Sequence, residues 1–463
     1  MQVLSAGAAR TVAGSRSSHS SHSSHSSHSS MSWLLSLALV GACARDSPAS
    51  GRPDVLAAAA IEPDAQVGVT PGVTRRAAPG LCLAAPVASS EALRCWVEWL
   101  ASPALAGRAP GSPGGIAARA GIEATFRDLS LAPAGEDGGY AQALPRGANL
   151  LARVPGVDPE RAAQIVVIAA HYDHLGVRDG RVYPGADDNA SGVAVLLELS
   201  RRLAAAPPAR SVLIAAFDAE EPPAYLGEAM GSIHWMAHPT VPRAQVVAML
   251  AMDLMGGNLW PGARTPLYIM GRETIAATGE PASATGEVRL ARRMMHLRLV
   301  EELPGARQPF SDHGAFFAAQ IPVLLFSTGR SPHYHRVSDR PDTLDFEKLE
   351  GALALVEAHL RWLADMPERP GWQNPQPVRA ADATVIVDLL QAASAADGSP
   401  EFSGLARPIV RADLARMRAL SAGAQDRPLT EAMAQDLIAV SLRAQCLLMP
   451  DDEIPTAACL MTP

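Results

Sequence analysis

Along the middle of this chain, short and almost unbroken apolar runs alternate with longer stretches whose apolar residues recur at helical spacing. Ala163–Ala170 (AQIVVIAA), Ser211–Phe217 (SVLIAAF), Val246–Met252 (VVAMLAM) and Pro322–Ser327 (PVLLFS) contain almost no polar position, which predicts strands buried on both faces. Leu267–Met270 (LYIM) predicts a further short strand, close behind Pro261-Gly262 and Pro266. Gly192–Leu203 (GVAVLLELSRRL) and Thr343–Leu363 carry the helical period and predict helices, the first of them a crossover. Strands separated by helices predict an α/β fold: a mixed, largely parallel central sheet flanked by helices. Ala380–Ala395 and Arg411–Leu448 add helical periods near the carboxyl end, so residues 367–463 are expected to form a helical extension.

The amino-terminal part has a different texture. Residues 1–30 end in a Ser/His tract with His19, His22, His25 and His28 spaced by three and no apolar residue among them, so no core can form there. Such tracts can bind metal, but a start codon placed upstream of Met31 accounts for it as well. From Met31 the string MSWLLSLALVGACARDS reads as a signal peptide, too short to span a bilayer. Val40-Gly41-Ala42-Cys43 resembles the lipobox of bacterial lipoproteins, in which the cysteine is acylated. Residues 31–43 therefore predict export, either as a periplasmic or outer-membrane lipoprotein attached through Cys43 or as a secreted protein. Residues 44–84, rich in Ala, Pro and Gly, read as a linker, with the folded domain expected over 85–366.

Composition narrows the field. A chain of 463 residues, 48% hydrophobic and 19% charged with a formal charge of -8, lacks the basic excess that phosphate backbones demand, so nucleic acid is excluded as a partner. Export permits disulfides. Beyond Cys43 the cysteines are Cys82, Cys95, Cys446 and Cys459, which allow three pairings and show no Cys-x-x-Cys motif.

The chemistry sits just beyond the carboxyl ends of the predicted strands, where open α/β sheets place their ligands. AAHYDH brings His171 and Asp173 to the same side of an extended segment; the acid can orient the imidazole, although a lone HxD also suits a structural histidine. PGADDNASG sets Asp187 and Asp188 before a helix, where carboxylates either cap the amino end or hold a cation. AFDAEEPP ends a buried strand on Glu220 and Glu221, a costly pair without a metal or a cationic partner. Asp253 in AMLAMDLMGG and His335 in SPHYHRVSD complete the set. Three carboxylates and two imidazoles drawn from these strings suit two Zn²⁺ ions with one carboxylate bridging.

These strings, together with WLASPALAGRAPGSPG, NLLARVPG and SDHGAF, occur in an order that resembles the di-zinc aminopeptidase family, which also contains glutamate carboxypeptidase and the glutaminyl cyclases. The resemblance covers about residues 90–366. It implies a peptide substrate, a bridging role for Asp188, ligand roles for His171, Glu221, Asp253 and His335, and Asp173 as the orienter of His171. It further implies Glu220 as the general base toward a zinc-bridged water, and Tyr334 as the donor to the tetrahedral oxyanion. Pro222-Pro223 and the stretch through Ala229 depart from the family pattern and alter the cleft wall. A carboxypeptidase, a one-zinc glutaminyl cyclase-like enzyme and a non-catalytic receptor-type relative are the alternatives on the same fold. Arg178, Arg181, Arg330 and Arg336 are the bases that would favour a carboxypeptidase by clamping a substrate carboxylate.

Overall fold

The computed structural model describes residues 79–448 apart from 261–262, 280, 282–289, 304–305, 308–309 and 396–405. The Ser/His tract, the signal segment, most of the linker and Cys459 lie outside the described residues.

Nine strands form the central sheet: β1 (Ala132–Pro133), β2 (Ala141–Ala143), β3 (Ala148–Val154), β4 (Ile165–His171), β5 (Ser211–Phe217), β6 (Val246–Met252), β7 (Pro266–Met270), β8 (Ala291–Met295) and β9 (Val323–Ser327). The order is β1-β3-β5-β4-β6-β9-β7-β8, with β2 paired to β3. The central block β5-β4-β6-β9 is parallel throughout. It is flanked by antiparallel β3 on one side and by antiparallel β7 on the other. The four strands expected from apolar runs are these four central ones, within two residues at each end. LYIM is the body of β7. Strands β3 and β8 escaped the pattern because β3 carries Asn149 and Arg153 and β8 reads Ala-Arg-Arg-Met-Met, as befits strands away from the doubly covered centre.

The alternation within β4 shows why the middle of the sheet had to be apolar on every residue. Val166, Ile168 and Ala170 join one hydrophobic cluster and Ile165, Val167 and Ala169 the other, so both faces are buried. The first face is covered by helices α1 (Ser90–Leu100), α2 (Pro113–Asp128), α3 (Gly192–Ala205) and α4 (Phe346–Asp365). The last two are the helices expected over 192–203 and 343–363; Asp345 caps α4, its side chain accepting from Lys348 N.

The second face is covered in part by the carboxyl-terminal segment. Helices α5 (Ala380–Ala395), α6 (Ala406–Ser421) and α7 (Glu431–Leu447) join this face at its edge, α5 against β8 and α7 against the short helix Arg298–Glu301, while the helix His313–Ala318 lies on the central strands β6 and β9. Ile386, Leu390, Val410, Leu437 and Ile438 belong to the same hydrophobic cluster as Val167, Leu213, Met249 and Leu325. The helical extension is therefore an integral part of the domain. The period read over 411–448 spans two helices, α7 starting afresh behind the Thr430 cap. Ser441 Oγ donates to Leu299 O, and Asp382 Oδ1 accepts from His296 N.

At the other end of the described chain, Pro79–Ala84, which the linker reading had covered, is helical and buries Cys82. Cys82 is bonded to Cys95 on α1, and Cys446 is disulfide-bonded as well. One of the three pairings open from sequence thus contains Cys82–Cys95.

A chain ending at Met366 would uncover β8 and the short helix Arg298–Glu301, against which α5 and α7 pack, and would leave Leu299 O without Ser441. Such a variant is expected to be insoluble or to lose its cooperative thermal transition. A sharp calorimetric transition in the truncated protein would show the extension to be dispensable.

Candidate metal centre and active site

The carboxyl ends of the parallel strands meet at one edge of the sheet, and the loops leaving them carry the polar motifs. His171 is the last residue of β4, Glu220 and Glu221 follow β5 after the turn Asp218-Ala219, Asp253 follows β6, and His335 lies eight residues beyond β9. Asp188 lies in the turn Ala186–Ser191 that opens α3. Ala219, Leu254 and His335 adopt left-handed φ values of 60°, 58° and 55°. Such conformations cost non-glycine residues stability, and here each lies in or beside the loops that hold Glu220, Asp253 and His335.

All five expected metal ligands come together, in two overlapping sets that share Asp188. His171 Nε2 lies 3.4 Å from Asp188 Oδ1 and 3.5 Å from Asp253 Oδ1. His335 Nε2 lies 3.1 Å from Asp188 Oδ2 and 3.3 Å from Glu221 Oε2. Donor atoms of His171, Glu220 and Asp253 lie within 4.8 Å of one another, and so do those of His174, Asp188 and Glu221. Zinc fits these sets on their own chemistry. Imidazole nitrogens and carboxylate oxygens are its ligands, and Asp253 Oδ1, Glu221 Oε1 and both ring nitrogens of His174 are buried without a hydrogen-bond partner among the described residues. Buried atoms of that kind are rare unless an ion satisfies them.

The supporting residues explain how so many acids are held. Asp173 stands 3.5 Å from His171 Nδ1, as expected, and its two oxygens also accept from Glu220 N and Glu221 N at 3.1 Å each. One carboxylate thus ties the ends of β4 and β5 together. Tyr172 repeats the tie, donating to Asp218 Oδ2 at 2.7 Å. Burial and the Asp173 charge raise Asp218 to about 7. Asp187 Oδ1 accepts from Gly256 N and Gly257 N, and a Cβ at Gly257 would lie 2.1 Å from Asp187 Oδ2, so only glycine fits.

Four groups of the centre were not singled out from sequence. Asp339, the last residue of SPHYHRVSD, accepts from Asp187 N and Asp188 N, linking the His335 loop to the bridging carboxylate. Arg108, in WLASPALAGRAPGSPG, is fully buried and donates to Tyr172 O, Leu100 O, Pro184 O and Gly185 O. Burial pulls its pKa to about 10 against the surrounding Asp339, Asp173, Asp188 and Glu221. His174 closes the HYDH string, and Tyr225 lies in the loop where the chain departs from the family pattern. All but Tyr225 stand inside strings that carried the resemblance; only the fold shows what they touch.

Glu220 and Glu221 are adjacent yet differently placed. Burial pushes Glu220 well up, with Asp253, Glu221 and Asp312 adding to it. Glu221 is buried too, but the imidazoles of His335 and His174 hold it well below the usual range. Glu220 Oε2 stands 3.9 Å from His171 Nε2, the longest of the close approaches. Tyr334 stacks on the His335 ring with centroids 3.8 Å apart, and burial keeps its phenol protonated. Of the arginines expected near the cleft, Arg330 lies over the Tyr334 ring at 4.9 Å. Arg178 and Arg181 are exposed on the hairpin 176–183.

An α/β sheet whose strand ends carry two carboxylate–imidazole clusters sharing one aspartate has the build of a metallohydrolase. Residues 149–359 match the model of Peptidase family M28. Curated relatives of the chain include the uncharacterised protein YfbL of Escherichia coli (strain K12), 31% identical over 218 residues, 42% of this chain and 66% of that protein. Aminopeptidase YwaD of Bacillus subtilis (strain 168) is 29% identical over 234 residues, 49% of this chain and 46% of that one. Glutaminyl-peptide cyclotransferase of Boiga irregularis is 34% identical over 113 residues, 24% and 30% of the two chains. The chain thus spans just under two thirds of the length of the first and just under half of the second. The solved structure of BSAP, a zinc aminopeptidase from Bacillus subtilis, aligns over 61% of this chain and 97% of that one, with a TM-score of 0.44 and 18% identity. That likeness is too distant to bear on activity.

Asp339→Asn keeps the shape but offers one acceptor oxygen to two backbone N–H groups. It is expected to lower stability by about 1–3 kcal/mol, the cost of one buried unpaired donor. Unchanged denaturant midpoints would remove Asp339 from the support of the Asp188 loop.

Proposed function

We propose that this chain is a zinc-dependent exopeptidase of the aminopeptidase type, acting on peptides with two Zn²⁺ ions. The observation that carries the reading is the position of Asp188, one oxygen beside His171 and the other beside His335, so that a single carboxylate joins two ligand sets. His171, Asp188 and Asp253 would hold one ion, and Asp188, Glu221 and His335 the other. Bound there, the ions supply Lewis acidity toward a scissile carbonyl and make water more acidic.

The remaining steps belong to the chain's own residues. Glu220 is buried beside both sets, and as general base it takes the proton of the attacking water and passes it to the leaving amine. Asp173 holds the Glu220 backbone and the His171 ring in register. Tyr334, kept protonated, can donate to the oxygen that gains charge at the carbonyl. Asp253 and Asp312, both buried near Glu220, make the wall acidic, which suits the free amino group of a peptide. The name of the relative YwaD supports the same polarity. Arg330 beside Tyr334 is the feature that favours a carboxypeptidase instead, since an arginine there can hold a terminal carboxylate.

Export goes with this reading, in that a disulfide such as Cys82–Cys95 belongs to an oxidising compartment. Among the described residues no helix is long and apolar enough to cross a membrane. We propose membrane attachment through acylation of Cys43 on the strength of the lipobox-like Val40-Gly41-Ala42-Cys43, to be checked by detergent partitioning that disappears in Cys43→Ser.

Glu220→Gln is expected to retain the wild-type zinc content while kcat falls by about 10²–10⁴-fold, because a proton acceptor is lost and no ligand is touched. Full turnover in that variant would sink the assignment. Polarity is read from one peptide offered free, N-acetylated and C-terminally amidated. Acetylation is expected to abolish cleavage and amidation to leave it intact, and the opposite result identifies a carboxypeptidase.

A further inference from the structure

His174 is the group at this centre to which neither the motif reading nor the shared-aspartate arrangement gives a task. It follows Asp173 directly, its ring is fully buried, and neither ring nitrogen has a hydrogen-bond partner among the described residues. Leaving both nitrogens of an imidazole unmet in the interior is costly. The ring nevertheless faces acids: Nδ1 stands 2.9 Å from Glu221 Oε1 and 3.8 Å from Asp188 Oδ2.

At 2.9 Å an imidazole N–H and a carboxylate form a strong hydrogen bond if they are aligned. Here they are not, and both His174 Nδ1 and Glu221 Oε1 stay without a partner. A donor and an acceptor this close, aimed past one another, have the relation of two ligands whose lone pairs converge on a third point. The remaining contacts agree. His335 approaches the same Asp188 and Glu221 carboxylates from the other side, and the two imidazole rings stand edge to face with centroids 5.9 Å apart. Gly185, in the left-handed region at φ 62°, closes the loop onto the ring. A Cβ at Gly185 would lie 2.4 Å from His174 Cγ.

We propose that His174 is itself a ligand, through Nδ1, of the metal ion held by Asp188, Glu221 and His335. The two positions are then unequal. His171, Asp188 and Asp253 give one ion three protein donors and leave it an open coordination position, as substrate-binding zinc requires. His174, His335, Asp188 and Glu221 give the other four protein donors, a fuller set that retains zinc more tightly and takes the shared water only by expanding to five-coordinate. This rests on the two-zinc reading above, and it predicts stepwise removal by chelator, with the His171-side ion leaving first.

The test uses the full chain. In wild-type protein labelled with ¹⁵N-histidine and loaded with ¹¹³Cd, metal–nitrogen couplings count the coordinated imidazoles without any substitution. Three, from His171, His174 and His335, support the proposal, and two overturn it. Zinc retention against graded chelator is then measured in His174→Gln and His174→Ala, with circular dichroism of the metal-free forms as the control for folding. Loss of an outer hydrogen-bond partner weakens zinc about 10–100-fold; removal of a ligand is expected to exceed that for one ion and leave the other within a few-fold. A change below that range for both ions overturns the assignment. Wild-type protein that binds fewer than two zinc ions would instead refute the two-zinc reading itself.

Discussion

Nine carboxylates, those of Asp173, Asp187, Asp188, Asp218, Glu220, Glu221, Asp253, Asp312 and Asp339, are buried around one end of a single sheet. Like charges in a low-dielectric interior repel strongly and lose their hydration, so such a cluster exists only if each member is matched. The rest of the centre can be understood as the ways in which that matching is done. Asp173, Asp187 and Asp339 are matched by pairs of backbone N–H groups. Arg108 lies among Asp339, Asp173, Asp188 and Glu221, and Lys348 near Asp187. Asp218 accepts from Ala148 N, Ala219 N and the Tyr172 hydroxyl, and burial raises Asp312, beside Ser232, and Glu220 toward their neutral forms. Asp188, Glu221 and Asp253 with their histidines remain as the set that calls for metal.

Backbone matching has a geometric consequence. An N–H group can serve a carboxylate only where the chain turns back toward it, so the acids that need such partners also staple the loops that carry the ligands. Asp173 joins the ends of β4 and β5, Asp339 joins the His335 loop to the Asp188 turn, and Asp187 joins that turn to the Gly256-Gly257 segment after Asp253. Each ligand-bearing loop is thereby fixed to a neighbour, and left-handed residues such as Ala219 and Leu254 are tolerated because the frame around them is over-determined. The M28 match covers residues 149–359, and outside it the chain supplies Arg108 from one side and the helices packed along β8 from the other.

Much of this was legible in the sequence. A buried parallel strand has a short, unbroken apolar run as its signature, so β4, β5, β6 and β9 could be read, and the polar strings that interrupt such runs mark strand ends. Polar residues inside a strand break that signature, Asn149 and Arg153 in β3 and Arg292 and Arg293 in β8, which is why those two went unread. The clusters that hold His171, Asp188, Glu220, Glu221, Asp253 and His335 were legible because such residue types are costly at buried strand ends, and the family resemblance supplied the role expected of each. Arg108 and Asp339 were not, since they act on backbone groups tens of residues away, and nothing in their own surroundings marks a long-range partner. His174 was visible as a letter in HYDH but not as a neighbour of Glu221.

By itself, then, the sequence determined the α/β class, the four central strands, the strings in which the candidate metal-binding side chains fall and the helical nature of the carboxyl-terminal segment. Those properties depend on local periodicity and on the chemistry of single residues, and both are written along the chain. Tertiary structure alone decided that Asp188 faces two imidazoles at once, that Cys82 pairs with Cys95, that the extension is part of the core, and that His174 turns its Nδ1 toward Glu221. These are relations between segments distant in sequence, set by strand order and by which loops the sheet brings to one edge, and no local pattern encodes a distance across it.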